Sequence, residues 1–238
     1  MQLIEIRRYP VKSLLGEVPR AAAATGRGLA GDRLWAVRDP DGKFGSGKNT
    51  RRFRRMPGLF SLRARTGPSA VPFVELPDGR AFAADDAAGH RAISELLGRP
   101  VTLTPESGIP HHDEGPISLI TTTGLRALTA LAGGGPDGTA VDPQRFRANL
   151  LIDIADAPEA SFPEDDWPGR RLRIGADVVL RVVRPLTRCV MVDMPQDTAP
   201  GRADLLKTLA AHHEMTFGVV AAVEHPGRLR TGDTCSWQ

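Results

Sequence analysis

Asp177-Val178-Val179-Leu180-Arg181-Val182-Val183, running on into Arg184-Pro185-Leu186-Thr187-Arg188-Cys189-Val190-Met191-Val192, is the stretch on which the reading of this chain turns. Its first half is β-branched and broken by one arginine, the pattern of a strand. That strand delivers an interior thiol directly behind an arginine. The other cysteine, Cys235, stands three residues from Gln238, and the two offer no disulfide framework. Arg184 and Arg188 would favour a thiolate at Cys189, and a thiolate is both a nucleophile and a soft metal ligand. A free cysteine is otherwise a small buried hydrophobe. The rest of the chain decides between the two.

Short strands with turn residues between them recur on both sides of this stretch. Leu3–Arg8 alternates until Pro10. Arg33–Arg38 leads into the turn Asp39-Pro40-Asp41-Gly42, and Phe60–Arg65 alternates apolar with basic residues. Phe73–Leu76 and Arg80–Ala83 flank Pro77-Asp78-Gly79 as a hairpin. Val101–Thr104, Ile117–Thr121, Val178–Val183, Val190–Val192 and Phe217–Val223 are further β-rich runs. Three helices interrupt them. Ala87–Leu97 has Asp86 as its cap and Gly98 as its stop. A second, capped by Thr122 or Thr123, carries Leu125, Leu128 and Leu131 to Gly133-Gly134-Gly135-Pro136. A third spans Ala203–His213. The pattern predicts a mainly β (α+β) chain with two β-barrel-like lobes and a few inserted helices, divided into residues 1–86 and 87–238.

Charge is unevenly placed. Residues 1–66 hold 15 Lys and Arg against 5 Asp and Glu, while the remainder is net acidic, so the whole chain is only +3. This asymmetry suits an anion site or two complementary lobes. Nucleic acid is disfavoured, because no recognition module is recognisable and aromatics are 5%. Two unpaired cysteines fit a reducing compartment, and Met1–Ile6 alternates at once with an acid in it, unlike a leader. No apolar run approaches the ~20 residues that span a bilayer. The expectation is a soluble cytoplasmic protein with no membrane partner.

Several motifs bear on chemistry. Gly42-Lys43-Phe44-Gly45-Ser46-Gly47-Lys48-Asn49 approaches a phosphate loop, but Asn49 stands where Ser or Thr must hold magnesium. The following Thr50–Arg55 is cationic rather than an apolar helix. What remains is a flexible basic loop suited to an anion. Adjacent side chains of His111-His112-Asp113-Glu114 diverge on an extended loop and make no metal site alone. His212-His213 reads as a helix C-terminal partner, and no Gly-x-Ser-x-Gly elbow supports a serine hydrolase. Tyr9-Pro10-Val11-Lys12-Ser13 joins a rigid turn to a cation and a hydroxyl, and Gly31-Asp32-Arg33 adds another cation. In Arg145-Phe146-Arg147-Ala148-Asn149, a period of two puts Arg147 and Asn149 on one strand face. Arginine forks suit phosphate, and an asparagine amide suits a heterocycle edge. Together with Cys189 these residues describe a polyanionic, heterocyclic ligand near a thiolate.

In this order the segments resemble the MOSC superfamily, named for the C-terminal domain of molybdenum cofactor sulfurase. Tyr9–Ser13 and Gly31–Val37 resemble its N-terminal β-barrel. Arg145–Leu150, Glu164-Asp165-Asp166-Trp167, Arg173-Ile174-Gly175, Arg188-Cys189 and Pro226–Asp233 resemble the MOSC domain itself. The resemblance implies a molybdenum–molybdopterin cofactor between the lobes, with Cys189 as metal ligand and catalytic residue. It implies that Lys12, Ser13, Arg33, Arg147 and Asn149 bind the pterin and its phosphate, joined by Thr121 and Thr122 at a strand-to-helix turn and by Lys48 and Arg51 in the basic loop. It further implies an oxidoreductase like the amidoxime-reducing branch, acting on N-hydroxylated or N-oxide small molecules. Two cysteines cannot hold an iron–sulfur cluster, which needs four, so electrons would come from a separate donor protein of the ferredoxin or flavin-reductase type. The Met194–Gly201 loop departs from the family's usual Asp-Pro-x-Thr pattern and leaves substrate choice open. The alternatives are a sulfur carrier or transferase with a Cys189 persulfide, and a cofactor carrier without catalysis.

Overall fold

The computed structural model describes residues 1–134, 140–155, 158 and 161–238. Strands come in chain order as β1 (Gln2–Ile6), β2 (Val11–Lys12), β3 (Ala21–Thr25), β4 (Gly28–Leu29), β5 (Trp35–Arg38), β6 (Phe44–Ser46), β7 (Phe53–Arg55), β8 (Arg63–Arg65), β9 (Phe73–Glu75) and β10 (Ala81–Ala83). Helix α1 (Ala87–Leu97) follows, then β11 (Thr102–Pro105), β12 (Ile117–Thr121), α2 (Thr122–Leu131), β13 (Leu150–Asp153), β14 (Arg171–Ile174) and β15 (Val178–Thr187). The chain closes with α3 (Leu205–His212), β16 (Thr216–His225), β17 (Gly227–Arg230) and β18 (Cys235–Trp237).

Two β systems result. Seven strands pair in the order β1-β13-β12-β16-β15-β14-β18. The two end strands then meet: Gln2 bridges Thr234, Leu3 N–H donates to the Asp233 carbonyl at 2.9 Å, and Cys235 N–H donates to the Met1 carbonyl at 2.9 Å. The sheet therefore curls into a nearly closed barrel, which leaves little free edge. Inward positions of this barrel, among them Leu3, Ile117, Leu119, Leu150, Ile152, Leu180 and Val219, are fully buried. The first lobe combines the sheet β11-β5-β6-β7, with β2 beside β5, and the small sheet β10-β9-β8. Val11, Leu14, Trp35, Val37, Leu62 and Val74 fill its core together with Ala92 and Ile93 of α1.

The lobes interleave more than a cut at residue 86 allows. Helix α1 packs into the first lobe's core, and β11 pairs antiparallel with β5, Leu103 opposite Val37. Conversely β1 belongs to the barrel, and β3 pairs with β17 beside it. Burial settles this arrangement, because Ala92 and Ile93 are the apolar face of α1 and only the first lobe offers it cover.

Two local expectations change. Val190–Val192 forms a tight 3-10 turn rather than a strand, with Val192 buried among Leu205, Leu209 and Phe217. Thr121, not Thr122 or Thr123, caps α2, its hydroxyl accepting from Gly124 N–H at 2.8 Å. Of the glycines and proline placed after that helix, Gly135 and Pro136 lie outside the described residues. No helix among the described residues is long and apolar enough to cross a membrane.

Candidate functional site

A cavity of about 390 Å³ opens between the lobes. Lys12, Ser13, Arg33 and Lys48 line it from the first lobe's side. The loop His112–Gly115 lines one rim, and Ile117, Ser118, Arg145, Phe146, Arg147, Asn149 and Leu186–Cys189 complete the wall. Cys189 is half-buried at the point where β15 ends and the Val190–Val192 turn begins, its backbone extended at φ −135° and ψ 175°. The strand thus aims the thiol into the cleft.

Arg188 is a buried cation of this wall. Its Nε donates to the Phe217 carbonyl and its Nη1 to the Phe146 carbonyl, each at 2.8 Å. Its Nη2 is buried without a partner. Burial pulls this guanidinium down to about 10, opposed by the nearby Cys189 and Glu164. Gly218, at φ 71°, makes room for it: a Cβ there would strike the Leu119 carbonyl and touch Arg188 Nη2. Arg184, by contrast, turns away from the thiol and bonds Glu114 at 2.7 Å.

Arg147 ends the 3-10 turn Pro143–Phe146 in the left-handed region, φ 51° and ψ 32°. The period-of-two reading is therefore corrected: the strand starts only at Leu150, and Arg147 projects by a turn, not by a pleat. Its guanidinium lies over Tyr9 at 4.2 Å and over Phe60 at 5.2 Å, with both terminal nitrogens buried and unpartnered. Burial, reinforced by neighbouring Arg33, lowers it to about 10. Arg147 also walls a smaller cavity of about 130 Å³ on the side of Arg7, Tyr9 and Gln144.

Arg33 donates to the Arg147 carbonyl at 3.0 Å and is ion-paired with the fully buried Asp32. Lys12 Nζ donates to the His111 carbonyl at 2.8 Å and to Asp113 Oδ1 at 2.6 Å. Desolvation brings Lys12 down to about 8, despite the nearby Asp113 carboxylate. Ser13, Arg33 and Arg147 all hold positive φ. Such backbone costs on the order of 1–3 kcal/mol per residue and gathers at functional sites.

Not every sequence-predicted residue reaches the cavity. Thr121 bonds Glu164 Oε2 at 2.7 Å behind the wall, and Thr122 bonds Asp153 at 2.6 Å. The N-terminus of α2 thus faces Glu164 and β13, with Gly124 required because a Cβ would strike Glu164. Arg51 is exposed on the loop outside the cavity lining. Asn149 lines the cavity, but its amide is engaged: Oδ1 accepts from Ser118 N–H and Ser118 Oγ, both at 3.1 Å, and Nδ2 donates to the Arg7 carbonyl at 3.2 Å. It ties β12 to the chain leaving β1, leaving one N–H for a ligand. Sequence reasoning missed Arg188 as a wall residue, together with Ser118, His112 and Asp113. The arginine before the thiol was the one available signal; the others reach the cavity only through the crossing of the two lobes.

Comparison with known families and structures identifies the family and the fold. The MOSC domain model matches residues 106–236, and the MOSC N-terminal beta barrel domain model matches residues 1–98. The chain belongs to the MOSC family, whose members are in general molybdenum-cofactor-binding or sulfurase-like proteins. No curated protein sequence matches it. Among solved structures it is similar to the YuaD protein from Bacillus subtilis, 13% identical over 98% of this chain and 93% of that one, with a TM-score of 0.52, which shows the shared fold. A weaker likeness, TM-score 0.35 at 14% identity, covers 52% of this chain and 54% of YiiM from Geobacillus stearothermophilus.

The donor set suits the cofactor of that family. Three guanidinium nitrogens, Arg147 Nη1 and Nη2 and Arg188 Nη2, are buried without partners. Unpaired buried donors are costly, and a phosphate or other anion would satisfy them. A soft thiol stands on the same wall.

Proposed function

We propose that the chain holds a molybdenum–molybdopterin cofactor in the interlobe cavity and reduces N-hydroxylated or N-oxide compounds there. The observation that carries this reading is the coincidence of three orphaned guanidinium nitrogens with the Cys189 thiol around one cavity. Arg147, Arg33 and Lys12 would bind the phosphate, Arg147 as a planar fork. Arg188 would meet a second acceptor close to the thiol, and Cys189 would ligate the metal through Sγ. When bound, the cofactor supplies the oxygen-atom and two-electron chemistry, which no side chain here can perform.

The protein's own part is binding, orientation and exclusion of water. Ile117, Phe146, Leu186, Val192 and Val220 line the same cavity among the cations, so charges inside act in a medium of low dielectric. Lys12 Nζ, at about 8, is a cavity-lining group able to hold or yield a proton near neutral pH.

The test uses protein purified from a molybdate-supplied host. It should reduce benzamidoxime or a hydroxylamine when given reduced methyl viologen, and should do nothing with NADH alone. Unaided NADH turnover would contradict the reading. Inactivity toward every N-oxygenated compound, together with a labile sulfur on Cys189, would shift the assignment to sulfur transfer.

A further inference from the structure

The loop that brings Lys48 to the cavity continues as a cationic surface whose charge the chain itself leaves largely unused. From Arg38 to Arg55 the sequence places seven Lys and Arg against two acids. Both acids are held by one residue: Arg54 bonds Asp39 at 2.9 Å and Asp41 at 2.7 Å. Among the described residues, Lys43, Lys48, Arg51, Arg52 and Arg55 have no carboxylate partner, and Arg51 and Arg55 are exposed.

This surface abuts the turn that carries the thiol. Ser46 Oγ, at the end of β6, lies 3.5 Å from Met191 Sδ, and Gly47 packs on Met191 and Met194. Beside Cys189, Val190 is 42% exposed. Met215, whose carbonyl accepts from Arg188 N–H, is 38% exposed. A cationic rim beside a small apolar centre at a cavity mouth is the anatomy of a transient protein interface.

We propose that Lys43–Arg55, with Val190 and Met215, is the docking surface for an acidic iron–sulfur electron carrier that serves the cavity. This rests on the reductase reading above. Converting R–NHOH to R–NH2 breaks the N–O bond, takes up two electrons and two protons, and releases the oxygen as water. Two reduced ferredoxins, each oxidised by one electron, supply one turnover. A one-electron carrier must therefore arrive and leave twice per product. Solvated cations suit that duty, because they speed encounter more than they prolong a complex. Single-stranded nucleic acid fits less well: Phe44 and Phe53 are buried beneath the cations and offer no face for base stacking.

The test is the double variant Lys43→Glu/Arg55→Glu, which leaves the cavity wall intact. An acidic two-iron ferredoxin in its oxidised form is titrated against wild type and variant at low and high salt. Benzamidoxime reduction is then driven either by reduced ferredoxin or by reduced methyl viologen. Wild-type binding should weaken with salt. In the variant, Kd and the KM for ferredoxin should rise on the order of tenfold or more, while viologen-driven turnover is unchanged. Equal Kd and KM in the two proteins would overturn the docking surface. Tighter binding of a short single-stranded DNA through the same cations would overturn it in favour of nucleic acid. Absence of viologen-driven turnover in wild type would overturn the reductase reading, and electron delivery with it, whatever the ferredoxin titration shows.

Discussion

Replacing Arg147 by methionine should stabilise the ligand-free protein while weakening its hold on an anionic cofactor, and both effects have one cause. The guanidinium is buried with two unpartnered nitrogens, and burial pulls its pKa well below the usual arginine range, to about 10. At 1.36 kcal/mol per unit, the desolvated cation costs the fold on the order of 3 kcal/mol. Its position over Tyr9 and Phe60 returns about 1–2 kcal/mol. Methionine keeps an unbranched stem against the two rings and removes the charge. The net gain is about 1–2 kcal/mol, which at this chain length raises Tm by roughly 3–6 °C. Because the folded pKa lies below the unfolded one, the penalty is fully present below about pH 10 and is relieved only as pH rises above it, so pH 7 is the place to measure. In the loaded protein, charge-assisted hydrogen bonds worth about 1.5–3 kcal/mol each would be lost. Cofactor affinity should then fall by at least about one to two decades. Thermal melts of the ligand-free protein and a cofactor-binding titration read the two effects separately, and Arg147→Lys should restore binding only in part. A lower Tm in the ligand-free Arg147→Met protein with unchanged affinity would refute the reasoning.

Three further outcomes follow from the same wall. Cofactor binding should weaken as pH rises through about 8, where Lys12 loses its proton, and Lys12→Met should flatten that dependence in an equilibrium titration. His111 and His112 are held down to about 4, chiefly by burial. With folded values below the ordinary histidine value of 6.5, their contribution to stability is complete above 6.5 and is lost as pH falls toward 4; His111→Phe should shallow the slope of Tm against pH in that window. Asn149→Ala should cost about 2–4 kcal/mol in a denaturant titration, because it strands Ser118 N–H and the Arg7 carbonyl.

Much of the scaffold was legible because local chemistry and tertiary contact agree. Asp86 and Gly98 bound α1 as read, with the Asp86 side chain accepting from Ala88 N–H at 2.7 Å and Gly98 at φ 63°. Ile117–Thr121 and the hairpin around Pro77-Asp78-Gly79 likewise follow from alternation and turn residues. Val190–Val192 was misread because β-branched residues favour strands, yet β15 ends at Thr187 and burial of Val192 drives a turn. Arg147 and Asn149 look like a pleated pair in sequence, but a left-handed residue between a 3-10 turn and β13 is invisible to periodicity. Lys12, Ser13, Arg33, Lys48, Arg147, Asn149 and Cys189 do line one cavity, which the family pattern implied and composition alone could not. Thr121 and Thr122 were misplaced, since their hydroxyls already have partners inside the fold. The extent of α1's lobe was hidden because a helix's cover is a property of the neighbour, not of the helix.

Metal analysis tests the central claim most directly. Wild-type protein from a molybdate-supplied host should carry molybdenum in near-stoichiometric amount, with X-ray absorption showing a sulfur ligand beyond those of the pterin. Cys189→Ala should lose that ligand while keeping the wild-type melting transition. A wild-type protein free of molybdenum under these conditions, or a Cys189→Ala protein with the same metal-bound sulfur count, would contradict the account.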